Sequence, residues 1–210
     1  MIVGTKETPY EHGYYFFEII MPSDYPLSPP KFIFRTTDGK IRFNPNLYES
    51  GKVCLSILGT WTGPGWKSVM NLRSVLLSIQ SLLHEFPIVN EPGFEDVKPD
   101  DSKSIDYNNY IIYYNFRLAI IGIINSLLSV KNKKFEAAEK FKNEILQELK
   151  NNYKILDDDL KSYQITKGIL ETSKFMYFIK NKNVLDFLDL QTSFNIGIEN
   201  LLKKNELNFI

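Results

Sequence analysis

The spacing of apolar positions changes near the middle of the chain. Over residues 14–21 (Tyr-Tyr-Phe-Phe-Glu-Ile-Ile-Met) and 31–36 (Lys-Phe-Ile-Phe-Arg-Thr) they form short aromatic or β-branched runs bounded by Pro or Gly, as strands do. A third strand is expected around residues 53–58. Between the first two, four prolines in Pro22-Ser23-Asp24-Tyr25-Pro26-Leu27-Ser28-Pro29-Pro30 fix φ and extend the residues before them, so a stiff connection is expected rather than a linker. From residue 71 the period becomes helical. Leu72, Val75, Leu76, Ile79, Leu82 and Leu83 predict a helix over 71–84, with Pro87 just beyond it. After the Pro92-Gly93 turn, the polar segment 96–109 leads into a helix ending near Leu128. Residues 135–150 predict an amphipathic helix, with Phe135, Ala138, Phe141, Ile145 and Leu149 on one side and Glu136 and Lys140 as an i,i+4 pair. Two more helical patterns cover 160–180 and 183–203.

Composition agrees with this division. All 10 prolines lie at or before Pro99, and the second half is dominated by Lys, Asn, Ile and Leu. At 210 residues with 43% hydrophobic content the chain should fold around a core. Lys plus Arg equal Asp plus Glu at 25 each, and neither half is basic enough to imply nucleic acid. Residues 110–128 have the length of a membrane span, but Asn115, Arg117 and Asn125 would be costly near a bilayer centre, so a buried helix and no membrane are expected. No signal peptide is visible at Met1 to Lys6. A single cysteine excludes an internal disulfide framework and a cysteine-built zinc site, and suits the cytoplasm or nucleus. The Asp157-Asp158-Asp159 triplet and the Lys131-Asn132-Lys133-Lys134 run read as solvated turn or cap charges.

The candidate nucleophile is Cys54, although a lone cysteine is also an ordinary inert core residue. Eight residues before it, Asn44-Pro45-Asn46 forms a Pro-locked turn whose Asn46 amide could donate where an oxyanion develops, or could serve turn chemistry alone. A cysteine hydrolase would need a histidine base; His12, in a Glu-His-Gly turn, and His84, at a helix end, read as surface or capping residues. Thioester exchange fits a cysteine without a dedicated base, because the acyl group arrives already activated. Lys52 shares a strand face with Cys54, where its ammonium either favours the thiolate or is simply solvated.

Thr8-Pro9-Tyr10-Glu11 with Gly13, Pro22-Ser23-Asp24-Tyr25-Pro26, Pro29-Pro30-Lys31, Asn46, Cys54, Trp66 and the helix from Leu72 occur in the order found in ubiquitin-conjugating enzymes, and the chain resembles that family from about Gly4 to Leu128. Thr36-Thr37-Asp38-Gly39, Arg42 to Tyr48, Gly59 to Trp66 and Asn90 to Glu95 are similar to an atypical branch that holds conjugating enzyme Z and the giant inhibitor-of-apoptosis conjugating enzymes. There Asn, here Asn44, replaces the usual His of the His-Pro-Asn signature. The resemblance implies that Cys54 accepts ubiquitin or a ubiquitin-like modifier from an activating enzyme and passes it to a protein substrate's lysine or to a ubiquitin ligase. It implies that Asn46 supports the active-site loop and the oxyanion. Asn90 or Glu91 would help position the attacking amine, unless the Asn90 to Glu95 turn merely packs Phe94. Phe34, Trp66, Lys67 and Ser68 are the ligase-contact candidates. No metal or organic cofactor is implied.

Two departures stand out. The family places a helix and a first strand before the segment matching Val3-Gly4, and Trp66-Lys67-Ser68-Val69 stands where Trp-Ser-Pro-Ala is usual. The expected fold is therefore α+β: a UBC-like core over residues 1–130 with a mainly antiparallel sheet and packed helices, apparently lacking the first helix, and an all-α C-terminal extension over 131–210. The missing strand would leave 14–21 with an open edge, expected to be covered by a segment encoded upstream rather than by the C-terminal helices or a partner. The rival functional reading is a catalytically inactive UBC-like adaptor that binds ubiquitin or ligases without being charged.

Overall fold

The computed structural model describes residues 1–129, 135–171 and 184–204. Among the described residues three antiparallel pairs replace the expected single sheet: β1 (Ile2–Val3) with β2 (Tyr14–Tyr15), β3 (Phe17–Ile20) with β4 (Lys31–Phe34), and β5 (Ile169–Glu171) with β6 (Val184–Asp186). The run 14–21 divides at Phe16 because the Thr36 hydroxyl inserts there, accepting from the Phe16 amide at 2.8 Å and donating to the Tyr14 carbonyl at 3.0 Å. In β4 the alternation buries Phe32 and Phe34, and Phe34 joins Tyr15, Phe17 and Phe43 in an aromatic cluster.

The expected strand at 53–58 is a correction. Val53 bridges Leu47, but Ser56–Leu58 is a 3-10 turn that ends at Gly59 with φ 67°. The Thr60 hydroxyl closes it by accepting from the Leu55 amide at 2.9 Å and donating to the Val53 carbonyl at 2.6 Å. Helix α1 (Leu72–Leu82) begins where the apolar period does. Asn71 caps it in a reciprocal exchange with Ser74, and Val75 and Ile79 face the core.

Helix α2 (Ser102–Tyr114), a π-helical stretch (Asn115–Ile120) and α3 (Ile121–Leu128) make one continuous rod that starts inside the segment expected to be polar connection. The rod is long and apolar enough to cross a membrane, yet 67% of its most apolar window is buried inside the protein. The π-turn faces Asn115 inward, where its Nδ2 donates to the Glu11 carbonyl at 2.8 Å and its Oδ1 accepts from the Tyr15 hydroxyl at 2.6 Å.

The helix expected over 135–150 breaks at Phe141 (φ −118°, ψ 22°) into α4 (Ala137–Lys140) and α5 (Lys142–Thr166). Phe141 packs its ring 5.9 Å from that of Phe16, and the Tyr14 hydroxyl donates to the Ile145 carbonyl at 3.4 Å. C-terminal helices therefore do fold back onto the β2 region, contrary to expectation. The helix expected over 160–180 ends at Thr166 and is followed by β5, and residues 172–180 lie outside the described ones. The C-terminal region is thus not all-α. Helix α6 (Phe187–Lys203) crosses α3 so closely that a Cβ on Gly197 would sit 2.9 Å from Ile124 Cγ2. Asp157, expected in a turn, lies within α5 and accepts from Lys161 at 2.5 Å and from Gln191 of α6 at 2.7 Å. The Lys131 to Lys134 run lies outside the described residues.

Candidate active site

A short antiparallel hairpin builds the site. The Tyr48 amide donates to the Lys52 carbonyl at 3.0 Å, Leu47 bridges Val53, and the Cys54 amide donates to the Asn46 carbonyl at 2.8 Å. Side-chain alternation then sets Leu47 and Val53 on the core face, where both are buried, and Asn46, Tyr48, Lys52 and Cys54 together on the other. The turn requires Gly51: its φ is 88°, and a Cβ there would lie 2.8 Å from the Phe34 carbonyl oxygen.

Asn44 anchors the hairpin's first strand. Its Oδ1 accepts from the Asn46 amide at 2.9 Å, and its Nδ2 donates to the Leu82 carbonyl at the end of α1 at 2.8 Å and to the Tyr10 hydroxyl at 2.9 Å. Tyr10 in turn donates to the Phe43 carbonyl at 2.9 Å, and burial pushes its own hydroxyl well above the ordinary tyrosine range. A carboxamide suits this fully buried position because it supplies donors and an acceptor at once.

Asn46 and Cys54 are tied at both ends, since the Asn46 Nδ2 donates to the Cys54 carbonyl at 2.8 Å. As arranged, that amide supports the loop; its buried Oδ1 has no hydrogen-bond partner among the described residues. Cys54 itself has no solvent exposure. His84 Nδ1 accepts from the Phe86 amide at 3.2 Å, and His12 Nε2, 3.5 Å from Glu11, makes no hydrogen bond among the described residues.

The other expected residues separate. Glu91 is buried and pairs with Arg42 at 3.0 Å, so its carboxylate is not presented to an incoming amine. Asn90 Oδ1 sits 3.4 Å from His84 Nε2 on the same loop, and Phe94 is partly buried against the core. Phe34 has no exposure, which removes it from the ligase-contact candidates: the β4 alternation points it inward. Trp66 donates to the Pro26 carbonyl at 2.7 Å and packs near Tyr25, whereas Lys67, Ser68 and Trp61 are exposed.

Three residues not predicted for the site hold it: Arg42, Tyr48 and Thr60. Thr60 could have been found from the Gly59-Thr60 turn chemistry; the partnership of Arg42 with Glu91, 49 positions apart, has no local signal. Among the described residues no group of three His, Cys, Asp or Glu side chains could hold a metal ion.

The family model described as "Ubiquitin-conjugating enzyme" matches residues 1–100. Human ubiquitin-conjugating enzyme E2 Z is 51% identical over 126 residues, covering 59% of this chain and 35% of its own length. The Danio rerio enzyme of that name is 46% identical over 142 residues, covering 67% and 43%. A solved E2 domain of a Toxoplasma gondii ubiquitin conjugating enzyme is 32% identical and covers 56% of this chain and 77% of its own, with a TM-score of 0.43. The chain spans less than half the length of the curated relatives it matches.

Proposed function

The chain belongs to the ubiquitin-conjugating enzyme family, and on that premise we propose that it carries ubiquitin or a ubiquitin-like modifier as a thioester on Cys54. The observation that supports the reading is the double tie between Asn46 and Cys54, which joins the residue bearing the thiol to the residue bearing the candidate amide through the Cys54 backbone. In the first step the Cys54 thiolate attacks the modifier's C-terminal carbonyl on the activating enzyme. A new C–S bond forms, the old one breaks, and the activating enzyme's cysteine leaves as thiolate. In the second, a substrate amine attacks the same carbonyl, the C–N bond forms, Cys54 leaves as thiolate and the amine loses its proton to solvent. A ligase cysteine would receive the acyl group by a repeat of the first step.

Partners under this reading are the modifier, an activating enzyme, a ligase meeting the exposed Lys67 and Ser68, and a protein substrate, in the cytoplasm or nucleus. The conjugating core would occupy residues 1–130, and 131–210 would form the extension. The likeness to the giant inhibitor-of-apoptosis enzymes rests on the segments 36–39, 42–48, 59–66 and 90–95, with Asn44 standing where the usual signature has His.

The adaptor reading draws on one observation, the complete burial of Cys54, since charging requires the sulfur to be uncovered. One experiment decides between them. With activating enzyme, ATP and ubiquitin, the wild type should form an adduct that a thiol reductant removes, Cys54→Ser a reductant-resistant oxyester, and Cys54→Ala none. A wild type that stays uncharged leaves the adaptor; an adduct that persists in Cys54→Ala defeats the thioester reading.

A further inference from the structure

Arg42 is 8% exposed, and three segments converge on it. Its Nη2 donates to the Pro45 carbonyl and, at 3.0 Å, to Glu91 Oε2. Its guanidinium carbon lies 4.0 Å from the centroid of the Tyr48 ring. One side chain thus touches the Asn44–Pro45–Asn46 turn, the Tyr48 ring on the face that carries Cys54, and the loop that bears Glu91.

Stability alone does not account for this arrangement. Desolvating two charges offsets most of their attraction, and apolar side chains of similar volume are often as stable in their place. What an apolar pair cannot reproduce is the geometry. A planar fork reaches a carbonyl and a carboxylate while its face stacks on an aromatic ring, and lysine offers only a point charge.

We infer that Arg42, locked by Glu91, is a positioning residue for Cys54, fixing the Asn46 turn and the Tyr48 ring on the hairpin face that carries the thiol. Burial raises the pKa of the Tyr48 hydroxyl, Arg42 lowers it, and Cys54 and Glu91 raise it further. Lys52, also on this face, is solvent-exposed with its Nζ 5.7 Å from the Tyr48 ring.

The inference rests on the conjugation reading, and one experiment separates the two. The double variant Arg42→Met/Glu91→Leu should melt like the wild type yet discharge its thioester to free lysine at least about tenfold more slowly, with charging of Cys54 less affected, since the turn and ring lose their fixed positions. Should it not fold, Arg42→Lys, which keeps the charge but not the fork, replaces it with the same expectation. A folded variant with wild-type discharge, or one slowed equally in charging and discharge, would overturn the inference. An uncharged wild type would refute the conjugation reading and this inference with it, whereas a charged wild type with those outcomes refutes the inference alone.

Discussion

The Cys54 hairpin and the helical layer of α3, α5 and α6 hold their shapes by different means. In the hairpin, Asn44, Asn46 and Thr60 turn their side chains onto the backbone, and regular pairing covers only a few residues. In the helical layer the polar groups satisfy each other along each helix, and Ile145, Leu149, Leu160, Phe187, Phe194 and Leu201 supply the cohesion by burial. Directional bonds fix atoms to a fraction of an ångström, as chemistry requires, whereas apolar burial is roughly proportional to area and indifferent to small displacements.

The sharpest test of that contrast lies in the helices. Phe194→Ala empties a fully buried ring site stacked on Tyr153 and should cost about 3–5 kcal/mol of stability, read by denaturant unfolding, while the charging rate per folded molecule stays at the wild-type value. Loss of charging from fully folded protein would mean the two regions are coupled. Next in size, Asn46→Ala should slow lysine discharge by ~100-fold, with charging of Cys54 less affected, in single-turnover assays. The bond from Asn46 to the Cys54 carbonyl sharpens this expectation: equal losses in both steps would show that the amide serves only to hold the loop.

Thr60→Val is expected to cost about 1–2 kcal/mol, because the Leu55 amide and Val53 carbonyl lose a shared partner. Faster hydrogen exchange at the Leu55 amide, with α6 amides unchanged, would place the effect in the hairpin alone. The smallest effect belongs to the contact between the core and α5. Burial raises the Asp159 carboxyl above its ordinary 3.8, with His12 lowering it and Glu11 and Asp158 raising it. The native state therefore binds this proton more readily than the unfolded chain, and stability from this group falls as pH rises from 3.8 through the folded pKa. Asp159→Asn should remove that slope and slightly raise the melting temperature at neutral pH; a lower one would assign the carboxylate a stabilising contact.

Helix α1 was legible because a 3.6-residue period, an Asn cap and a following proline agree over one short window. Cys54 and Asn46 were legible as candidates because a Pro-locked turn eight residues from a lone thiol is a local arrangement, and the family's motifs surround it in order. The strand expected at 53–58 failed because Thr60, beyond the apolar run, captures its backbone groups. The run 14–21 was a strand in kind but not in continuity, since a hydroxyl 20 residues away interrupts it at Phe16.

By itself, then, the order of residues determined what local energetics can decide: helix starts, stiff turns, which faces are apolar, and which side chains carry nucleophilic or amide chemistry. Tertiary structure decided the long-range partners. It buried Phe34, engaged Glu91 with Arg42, folded α5 back onto Phe16 and Tyr14, and removed Cys54 from solvent. Those outcomes depend on the free energy of burying and pairing groups brought together from distant positions, a quantity that no window of the sequence contains.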